Sequence, residues 1–454
     1  MWQGGLGLAR RRGRDGRRTA LAVGAAALAL LAAAGGCGRR AAAPVERRLT
    51  VLGIDAADWI PIDSLLAAGR MPNFARLLAQ STRADMISFV PLEKSPLLWA
   101  SIATGRKPAD HGVGGFVKED APGGDQTPVR GNVWRAPAFW DIANAAGLRS
   151  DVIGWWVTHP ARPIAGVMVS DYLPWSVAGR VALGGLVCPD SLQAQAEKRR
   201  LAPDAVTDAD LARFIDPQAL ARGPRTPAVE RELQTLRALY AADRSYLEIG
   251  RWLAARDSTP LFVLYLRGLD LVSHEFWRYW NTDRSSSPVT ADERALFGQV
   301  VPRYYMFVDE MLGEVLAWFP PDRPLVVMSD HGFYGGRQRK RGWTLGTEEH
   351  RREGIFVVRS PWHAAGARGG PIDLIDAAPT FLMLLGLPAS AEMPGRPYAG
   401  ELDADGRRFL KRLERHRVPS YQALTPRAGA DTAGVDPQVD EAIRRQLRSL
   451  GYIK

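Results

Sequence analysis

The chain has 454 residues, of which 46% are apolar, enough to bury the core of one large or two ordinary domains. Its two cysteines exclude a disulfide framework. The net charge of +10 is partly concentrated at the N-terminus, where residues 1–36 contain six arginines and one aspartate and contribute +5. The remainder has no concentrated basic stripe, so nucleic acid is not expected as a partner.

The first 36 residues are typical of an export signal. An arginine-rich start precedes an uncharged apolar run, residues 19–34, that is short for a membrane span, and small residues then lead to Cys37. The stretch resembles a bacterial lipoprotein signal, although Ala34 stands where leucine is usual. That resemblance implies a lipidated Cys37 and attachment to the membrane of the bacterial envelope, at its periplasmic or outer-membrane face. An uncleaved N-terminal anchor is the alternative.

Residues 37–48 are rich in Ala, Arg and Pro and predict a tether. If Cys37 carries lipid, Cys188 is the only other cysteine and cannot form an intrachain disulfide. We expect Cys188 to be a small buried apolar side chain rather than a reactive thiol.

Short apolar runs alternate with amphipathic segments over residues 49–405, which predicts an α/β domain with a mainly parallel central sheet flanked by helices. The predicted buried parallel strands are Leu49–Ile54, 151–155, 260–266, 324–328 and 354–358. The predicted helices are 71–79, 140–147, 230–256, 301–319 and a late helix in 373–386 that ends on a glycine. Residues 172–230 predict an inserted region over the sheet, forming a small cap. Residues 406–454 predict a charged tail with a helix from about residue 436.

Three of the predicted strands lead into acidic residues. Asp55 ends the first, Asp270 comes four residues after the third, and Asp330 and His331 follow the fourth. Ligands bind at the carboxyl ends of strands in open α/β sheets, so these side chains predict a metal cluster. Each acid alone is better explained as a helix cap or turn residue, and the prediction depends on their joint arrangement.

Histidines accompany these acids. His274 lies four residues after Asp270, a spacing that puts both side chains on one face of a helix, where they can share a metal ion. Asp330 and His331 fall in a tight turn, where a metal would satisfy both buried polar groups. His350 precedes the last predicted strand, although alone it would be taken for a surface residue.

Ser95 precedes Pro96, an arrangement that predicts a helix start with Ser95 as N-cap and a helix end at Gly105. An ordinary capped helix explains this pattern. The same geometry suits a nucleophile, because a helix N-terminus stabilises anionic oxygen and a bound metal lowers the pKa of a hydroxyl.

At these residues the chain resembles the alkaline phosphatase superfamily, and within it the type I phosphodiesterase and nucleotide pyrophosphatase branch. Four motifs carry the resemblance in the family's order, over about residues 49–400. They are the strand 51–55 ending in Asp55, the helix from Ser95-Pro96 through Thr104-Gly105 to Pro108 and His111-Gly112, the D-x-x-x-H pair of Asp270 and His274, and the S-D-H-G element at 329–332. Trp155-Trp156 and the segment 376–380 add to the resemblance.

The resemblance implies two divalent metal ions, zinc or alternatively manganese, and a nucleophilic serine. It assigns to one metal Asp55, Asp330, His331 and Ser95, and to the other Asp270, His274 and His350. His111 belongs to the exit of the nucleophile helix, and we expect it to be structural rather than part of the site.

The chain departs from the family pattern near the nucleophile. Many members carry threonine where Ser95 stands and an asparagine that holds a phosphate oxygen three residues later, where this chain has Leu98. Lys94, Arg106 and Lys107 are the nearby basic candidates for that role, although a solvated surface position is commoner for each. The formylglycine motif of sulfatases is absent from this helix, which argues against sulfatase activity.

The function implied is hydrolysis of a phosphate ester, from a small-molecule or envelope substrate, through a phosphoseryl intermediate. The alternative is a transferase on the same scaffold that passes the phosphoryl or phospho-alcohol group to an acceptor other than water. A third, of another class, is an inactive lipid-tethered binding protein, which the seven filled ligand positions argue against.

Overall fold

A ten-stranded sheet forms the centre of the protein in a computed structural model that describes residues 47–119, 126–175, 184–223, 225–281, 288–335, 349–426, 441, 444 and 448. Its strands are β1 (Leu49–Ile54), β2 (Thr82–Ile87), β5 (Ser150–Ile153), β6 (Gly166–Val169), β7 (Val187–Cys188), β8 (Leu261–Leu266), β9 (Leu325–Met328), β12 (Glu353–Arg359), β13 (Ala367–Arg368) and β14 (Ile372–Asp373). Two short ribbons lie outside it, β3 (Val117–Glu119) with β4 (Gln126–Pro128) and β10 (Gly332–Phe333) with β11 (His350–Arg351).

The strand order is β13-β2-β12-β9-β1-β8-β5-β6-β7, and β14 also pairs with β2. The central run from β9 to β6 is parallel. Every residue of β1, β8 and β9 is buried, as expected for parallel strands covered on both faces. The mainly parallel α/β fold predicted from the sequence is therefore confirmed.

One predicted strand has the wrong direction. The run 354–358 lies within β12, which is antiparallel to both of its neighbours, β2 and β9. A parallel connection needs a long crossover that reverses the chain, usually through a helix. Here the chain instead leaves β9, forms the β10–β11 ribbon and returns alongside β9, so β12 runs in the opposite direction.

Helices cover the sheet, and those predicted from the sequence appear with ends shifted by a few residues. They are α1 (Trp59–Ala67), α2 (Pro72–Leu78), α3 (Ser95–Thr104), α4 (Pro108–His111), α5 (Phe139–Ala145), α6 (Gln193–Glu197), α7 (Asp208–Leu211), α8 (Pro217–Arg222), α9 (Pro227–Arg256), α10 (Gly268–Trp280), α11 (Ala291–Phe297), α12 (Val300–Trp318), α13 (Ala377–Leu384) and α14 (Ala404–Arg415). Short 3₁₀ turns occupy Gly131–Val133, Leu173–Trp175, Asp190–Leu192, Pro203–Ala205, Leu374–Asp376 and Gln422–Leu424. Among the described residues no helix has the length and apolar character needed to cross a bilayer.

The described part of the predicted insertion contacts the rest of the domain at several points. Strand β7 extends the sheet by pairing antiparallel with β6. Farther along, Phe214 packs on Tyr240 of α9 and stacks on Tyr304 of α12. Cys188 lies in β7 and is only half-buried, so it is more accessible than the sequence suggests. Burial and the charge of Asp190 raise the pKa of its thiol.

The structure describes part of the predicted C-terminal tail but little of the predicted N-terminal segments. The predicted signal, residues 1–36, and the tether as far as residue 46 lie outside the described residues. At the other end, α14 begins at Ala404 and its buried Leu410 and Leu413 attach it to the domain, so the helix spans the predicted boundary at residue 405. Of the predicted terminal helix, Glu441, Arg444 and Arg448 are described, and all three are helical.

Candidate metal centre and nucleophile

The three acids predicted to form a cluster meet at the carboxyl edge of the sheet. Strand β1 lies between β8 and β9, so Asp55 at its end is flanked by Asp270 and Asp330 from the chain that follows its neighbours. All three side chains are at most 1% exposed. The parallel register therefore brings together carboxylates that are up to 275 positions apart in the sequence.

Asp270, His274 and His350 form the first group. Asp270 Oδ1 lies 3.3 Å from His274 Nε2 and 3.5 Å from His350 Nε2, and the two imidazole nitrogens are 2.9 Å apart. The helix α10 supplies the first two residues from one face, as their spacing predicts, and the short strand β11 supplies the third. The three ligand atoms lie within 4.8 Å of one another, close enough to bind one ion.

Asp55, His331 and Asp330 lie beside this group. His331 Nε2 is 3.3 Å from Asp55 Oδ1 and 3.6 Å from Asp330 Oδ2. Ligand atoms of Asp55, Asp270 and His331 also lie within 4.8 Å of one another. Asp270, which the resemblance assigns to one metal, is therefore close to both groups. The rings of His331 and His350 stack with their centroids 3.7 Å apart, which joins the two groups.

The charges of these side chains test whether a cation fits. Both carboxylate oxygens of Asp330 are buried without a hydrogen-bond donor among the described residues. Burial and the neighbouring Asp55 charge raise the pKa of Asp330. Burial also opposes ionisation of Asp270, but the charge and hydrogen bonds of His274 and His350 outweigh it and hold the pKa of that carboxyl well below its usual range. Unpaired buried acceptors of this kind are costly, and cations would satisfy them.

The same buried environment shifts the pKa values of the three imidazoles in different directions. Burial lowers the pKa of His274, but the charge of Asp270 and the hydrogen bonds that the His274 ring donates to Asp270 and Glu349 raise it to about 10. Burial and the charge of His331 lower the pKa of His350 to about 4. For His331, burial is outweighed by the hydrogen bond and charge of Asp55, which raise its pKa. An ion binding to His274 or His331 would therefore displace a proton.

Ser95 lies directly beside these ligands. Its hydroxyl is 3.4 Å from Asp55 Oδ1 and 3.5 Å from His331 Nε2, and the residue is 3% exposed. The predicted cap is wrong by one residue, because the helix begins at Ser95 and Lys94 is its N-cap. The Ser95 side chain is thus directed toward the candidate metal ligands Asp55 and His331 instead of capping the helix.

Residues that sequence reasoning missed hold the ligands in place. Glu349 Oε2 is 2.6 Å from His274 Nδ1, the ring nitrogen that faces away from the cluster. Asp58 caps α1 through the N–H of Ile60, accepts the N–H of Phe333 in β10 and pairs with Arg351 in β11. Asp58 therefore fixes the ribbon that joins His331 to His350. Its place before an apolar helix indicates an N-cap, but no local signal indicates its partner 293 residues away.

The basic candidates for holding phosphate do not all reach the site. Leu98, in the place of the family's asparagine, is fully buried. Arg106 lies beyond the far end of α3, about 15 Å from its start, and pairs with Glu392 at 3.1 Å. Lys107 also lies beyond that end and is exposed. Lys94, half-buried and adjacent to Ser95, is the candidate that the structure leaves beside the nucleophile.

His111 lies away from the nucleophile. Its Nε2 is 2.8 Å from the Ser101 hydroxyl, in the second half of α3, and its Nδ1 accepts the N–H of Val113. Burial lowers its pKa to about 4. These contacts hold the loop after α4 against α3, the structural role that the sequence suggests for it.

The mainly parallel sheet brings two buried groups of Asp and His side chains together beside a serine at a helix start. This arrangement is the one expected of a phosphoester hydrolase. A profile of the type I phosphodiesterase/nucleotide pyrophosphatase family matches residues 49–380, more than half of the chain. The chain belongs to this family, and that membership supports a phosphoester hydrolase. No curated protein matches the chain.

Solved structures of related architecture include enzymes with several activities. Phosphonoacetate hydrolase from Sinorhizobium meliloti 1021 is 20% identical, with 65% of this chain and 58% of that one covered and a TM-score of 0.35. The match thus spans less than two thirds of that enzyme. Human ectonucleotide pyrophosphatase/phosphodiesterase 5 is 10% identical over 77% of this chain and 97% of that one, with a TM-score of 0.44. A 2-O GAG sulfatase is 11% identical over 78% and 73%, with a TM-score of 0.48.

Proposed function

We propose that the protein hydrolyses phosphate esters in two steps, with Ser95 as the nucleophile. The observation that supports this most directly is the position of the Ser95 hydroxyl, within 3.5 Å of both Asp55 and His331. A serine at the first position of a helix faces the positive end of the helix dipole, which favours a deprotonated hydroxyl and a bound phosphate. This position supports the proposal, because negative charge on Ser95 or on a substrate is tolerated there.

Seven side chains would hold two divalent ions. Asp55, Asp330, His331 and Ser95 would bind one, and Asp270, His274 and His350 the other. Carboxylate and imidazole donors suit Zn²⁺, with Mn²⁺ as the alternative. When bound, the ions would supply positive charge that stabilises the deprotonated Ser95 hydroxyl and the phosphoryl oxygens.

The proposed reaction consists of two successive displacements at the phosphorus atom. Ser95 Oγ gives its proton to solvent and forms a bond to phosphorus, while the bond from phosphorus to the leaving oxygen breaks and its electron pair stays on that oxygen. Water then attacks the phosphoserine, releasing the phosphate product and restoring the Ser95 hydroxyl. Burial of Ser95 keeps bulk water away from the first step.

The charge of the site favours a singly charged diester. Three ligand carboxylates, Asp55, Asp270 and Asp330, and two divalent ions would leave one positive charge while Ser95 keeps its proton and none once it is deprotonated, so these groups offer little compensation for a second substrate charge. Leu98 cannot donate a hydrogen bond to a further phosphate oxygen, and of the basic candidates Lys94, Arg106 and Lys107 only Lys94 lies beside Ser95. A doubly charged monoester would have fewer compensating groups.

The test compares two serines of the same helix. Ser95→Ala should lower kcat on bis(p-nitrophenyl) phosphate by roughly a thousandfold or more. Ser101→Ala is the matched control, because Ser101 is equally buried in α3 but its hydroxyl contacts Leu97 and His111. Mass spectrometry of acid-quenched reactions should find a p-nitrophenyl phosphoryl group on the peptide containing Ser95, because one ester bond of the substrate remains. Undiminished turnover by Ser95→Ala would exclude the proposed nucleophile.

Substrate preference needs a separate comparison. We expect kcat/KM to be at least about tenfold higher for the diester than for p-nitrophenyl phosphate, since the site compensates a single substrate charge. A preference for the monoester would contradict the charge argument but would not bear on the assignment of Ser95 as the nucleophile. An alcohol acceptor added to the reaction distinguishes hydrolysis from transfer by its products.

The proposal extends to location through the predicted signal and tether. We propose that the mature chain begins at a lipidated Cys37 and is held on the bacterial envelope. Support for this comes from the sequence of residues 1–37. Cys37→Ser should abolish labelling by a fatty-acid analogue and move the protein from the membrane fraction to the soluble fraction, whereas an uncleaved anchor predicts no change.

A further inference from the structure

The Asp55 carboxylate, which is fully buried, uses its two oxygens differently. Oδ1 faces the reaction site, 3.4 Å from Ser95 Oγ and 3.3 Å from His331 Nε2. Oδ2 faces the side chain of Tyr265 on the neighbouring strand β8, whose hydroxyl donates a hydrogen bond to it. Rotation of this carboxylate would change both contacts together.

The direction of that hydrogen bond is fixed by a third residue. The indole Nε1 of Trp156 lies 2.6 Å from the Tyr265 hydroxyl, and an indole nitrogen can only donate. The tyrosine oxygen therefore accepts from Trp156 and directs its single proton to Asp55. The three groups form a chain from Trp156 through Tyr265 to Asp55, in which every donor has an acceptor.

Packing holds the tyrosine ring in one position. Its centroid lies 4.6 Å from that of Trp99, which belongs to the nucleophile helix α3, and 6.1 Å from that of Trp155. Trp99 and Trp155 meet edge to face at 5.1 Å. Gly53 makes room for this group, because a Cβ there would lie 2.7 Å from the Trp99 ring and 3.1 Å from Tyr265. The same aromatic block thus touches the strand of Asp55 and the helix of Ser95.

We propose that Tyr265, oriented by Trp156, is a positioning residue that fixes the Asp55 carboxylate with Oδ1 toward Ser95 and His331. This rests on the proposed function in one respect, that Asp55 is a metal ligand beside the nucleophile. The Trp155-Trp156 pair, singled out in the sequence only by family resemblance, thereby acquires a role. Trp155 packs the block, and Trp156 sets the direction of the hydrogen bond.

The central experiment replaces Tyr265 by phenylalanine in the full chain. The matched control is Tyr398→Phe, which also removes a buried tyrosine hydroxyl, but one that donates to the backbone carbonyl of Gly370. Ion-free protein is titrated with Zn²⁺ by calorimetry. Outer partners of metal ligands are worth about 10–100-fold in metal affinity, so Tyr265→Phe should weaken one of the two binding events by that factor. Tyr398→Phe should leave both events unchanged.

The kinetic measurement separates positioning from substrate binding. In Tyr265→Phe saturated with Zn²⁺, kcat should fall about tenfold or more while KM stays within about threefold of the parent, since no substrate contact is removed. Trp156→Phe leaves the tyrosine hydroxyl without its donor and should produce the same pattern with a smaller loss. It also provides the test if Tyr265→Phe does not fold.

Several outcomes overturn the proposal. Two unchanged Zn²⁺ affinities with unchanged kcat would show that Tyr265 does not position Asp55. Equal weakening of metal binding by Tyr265→Phe and Tyr398→Phe would show a general loss of stability instead. Failure of the proposed function has a different signature, because Ser95→Ala would then retain turnover while the Zn²⁺ titration of Tyr265→Phe still reports on Asp55.

Discussion

Arg351→Met tests how the ribbon of β10 and β11 is held against α1. Arg351 Nη1 lies 2.8 and 3.0 Å from the two oxygens of Asp58, whose side chain is 1% exposed. Methionine keeps much of the apolar stem but removes the charge. The variant leaves Asp58 buried with two backbone donors, from Ile60 and Phe333, and without its cation.

The magnitude follows from the burial of each partner. Removing one partner of a fully buried ion pair costs about 3–5 kcal/mol. Arg351 is 25% exposed, so water already screens part of the attraction, and Asp58 keeps its two backbone hydrogen bonds. We therefore expect a loss of about 2–3 kcal/mol in the free energy of unfolding. The control is Arg149→Met, which removes the arginine of an exposed ion pair with Asp257. It should cost less than about 1 kcal/mol.

The assay is urea unfolding of Arg351→Met, Asp58→Asn and the double variant. The coupling between the two changes should be at least about 1.5 kcal/mol near neutral pH, since both remove one interaction. Burial raises the pKa of Asp58 despite Arg351, and acid that protonates this carboxyl removes the attraction. The cost of Arg351→Met should therefore shrink as the pH falls. A coupling below about 0.5 kcal/mol, or one that grows in acid, would refute the reasoning.

Three further predictions concern Glu349, Asp171 and Gly268. Glu349→Ala should weaken Zn²⁺ binding about 10–100-fold, because Glu349 orients His274, and calorimetry that finds unchanged affinity would exclude this role. Burial raises the pKa of Asp171 from 3.8 to about 6, so its stabilisation is complete below pH 3.8 and is lost as the pH rises through 6. Between pH 3.8 and pH 6 the parent should therefore lose up to about 3 kcal/mol in unfolding free energy relative to Asp171→Asn, as measured by urea unfolding. A difference between the two proteins that does not change with pH would contradict the raised pKa of Asp171. Gly268→Ala should lower thermal stability by about 1–3 kcal/mol and reduce kcat, because its Cβ would lie 2.1 Å from the Tyr304 hydroxyl; a stable, active variant would show that the start of α10 can shift without cost.

Local patterns were enough to predict the elements that carry the ligands. The continuous apolar runs of β1, β8 and β9 indicate strands buried on both faces, and the residue after such a strand falls at the ligand-binding edge of the sheet. The four-residue spacing of Asp270 and His274 needs only a helix to place both side chains on one face. The structure brings these residues together because their positions depend on strand ends and helix periodicity, which short-range sequence shows.

Features set by contacts between distant segments were not predictable. The direction of β12 depends on how the chain returns after the β10–β11 ribbon, which its own apolar run does not record. Arg106 follows the nucleophile helix in sequence, but the length of that helix and the ion pair with Glu392 place it away from Ser95. Sequence distance was a poor guide in both cases, since direction and reach are properties of the folded chain.

The supporting residues would keep the candidate ligand carboxylates close together despite their like charges. Asp58 joins α1 to the ribbon of His331 and His350, Glu349 reaches His274 on α10, and Tyr265 reaches Asp55 across neighbouring strands. Each contact therefore ties a ligand, or the segment that carries it, to a different element, and none depends on the cation. A site braced in this way can hold carboxylates near one another before an ion arrives. Its geometry should consequently be more sensitive to the loss of a bracing residue than to the exchange of one divalent ion for another.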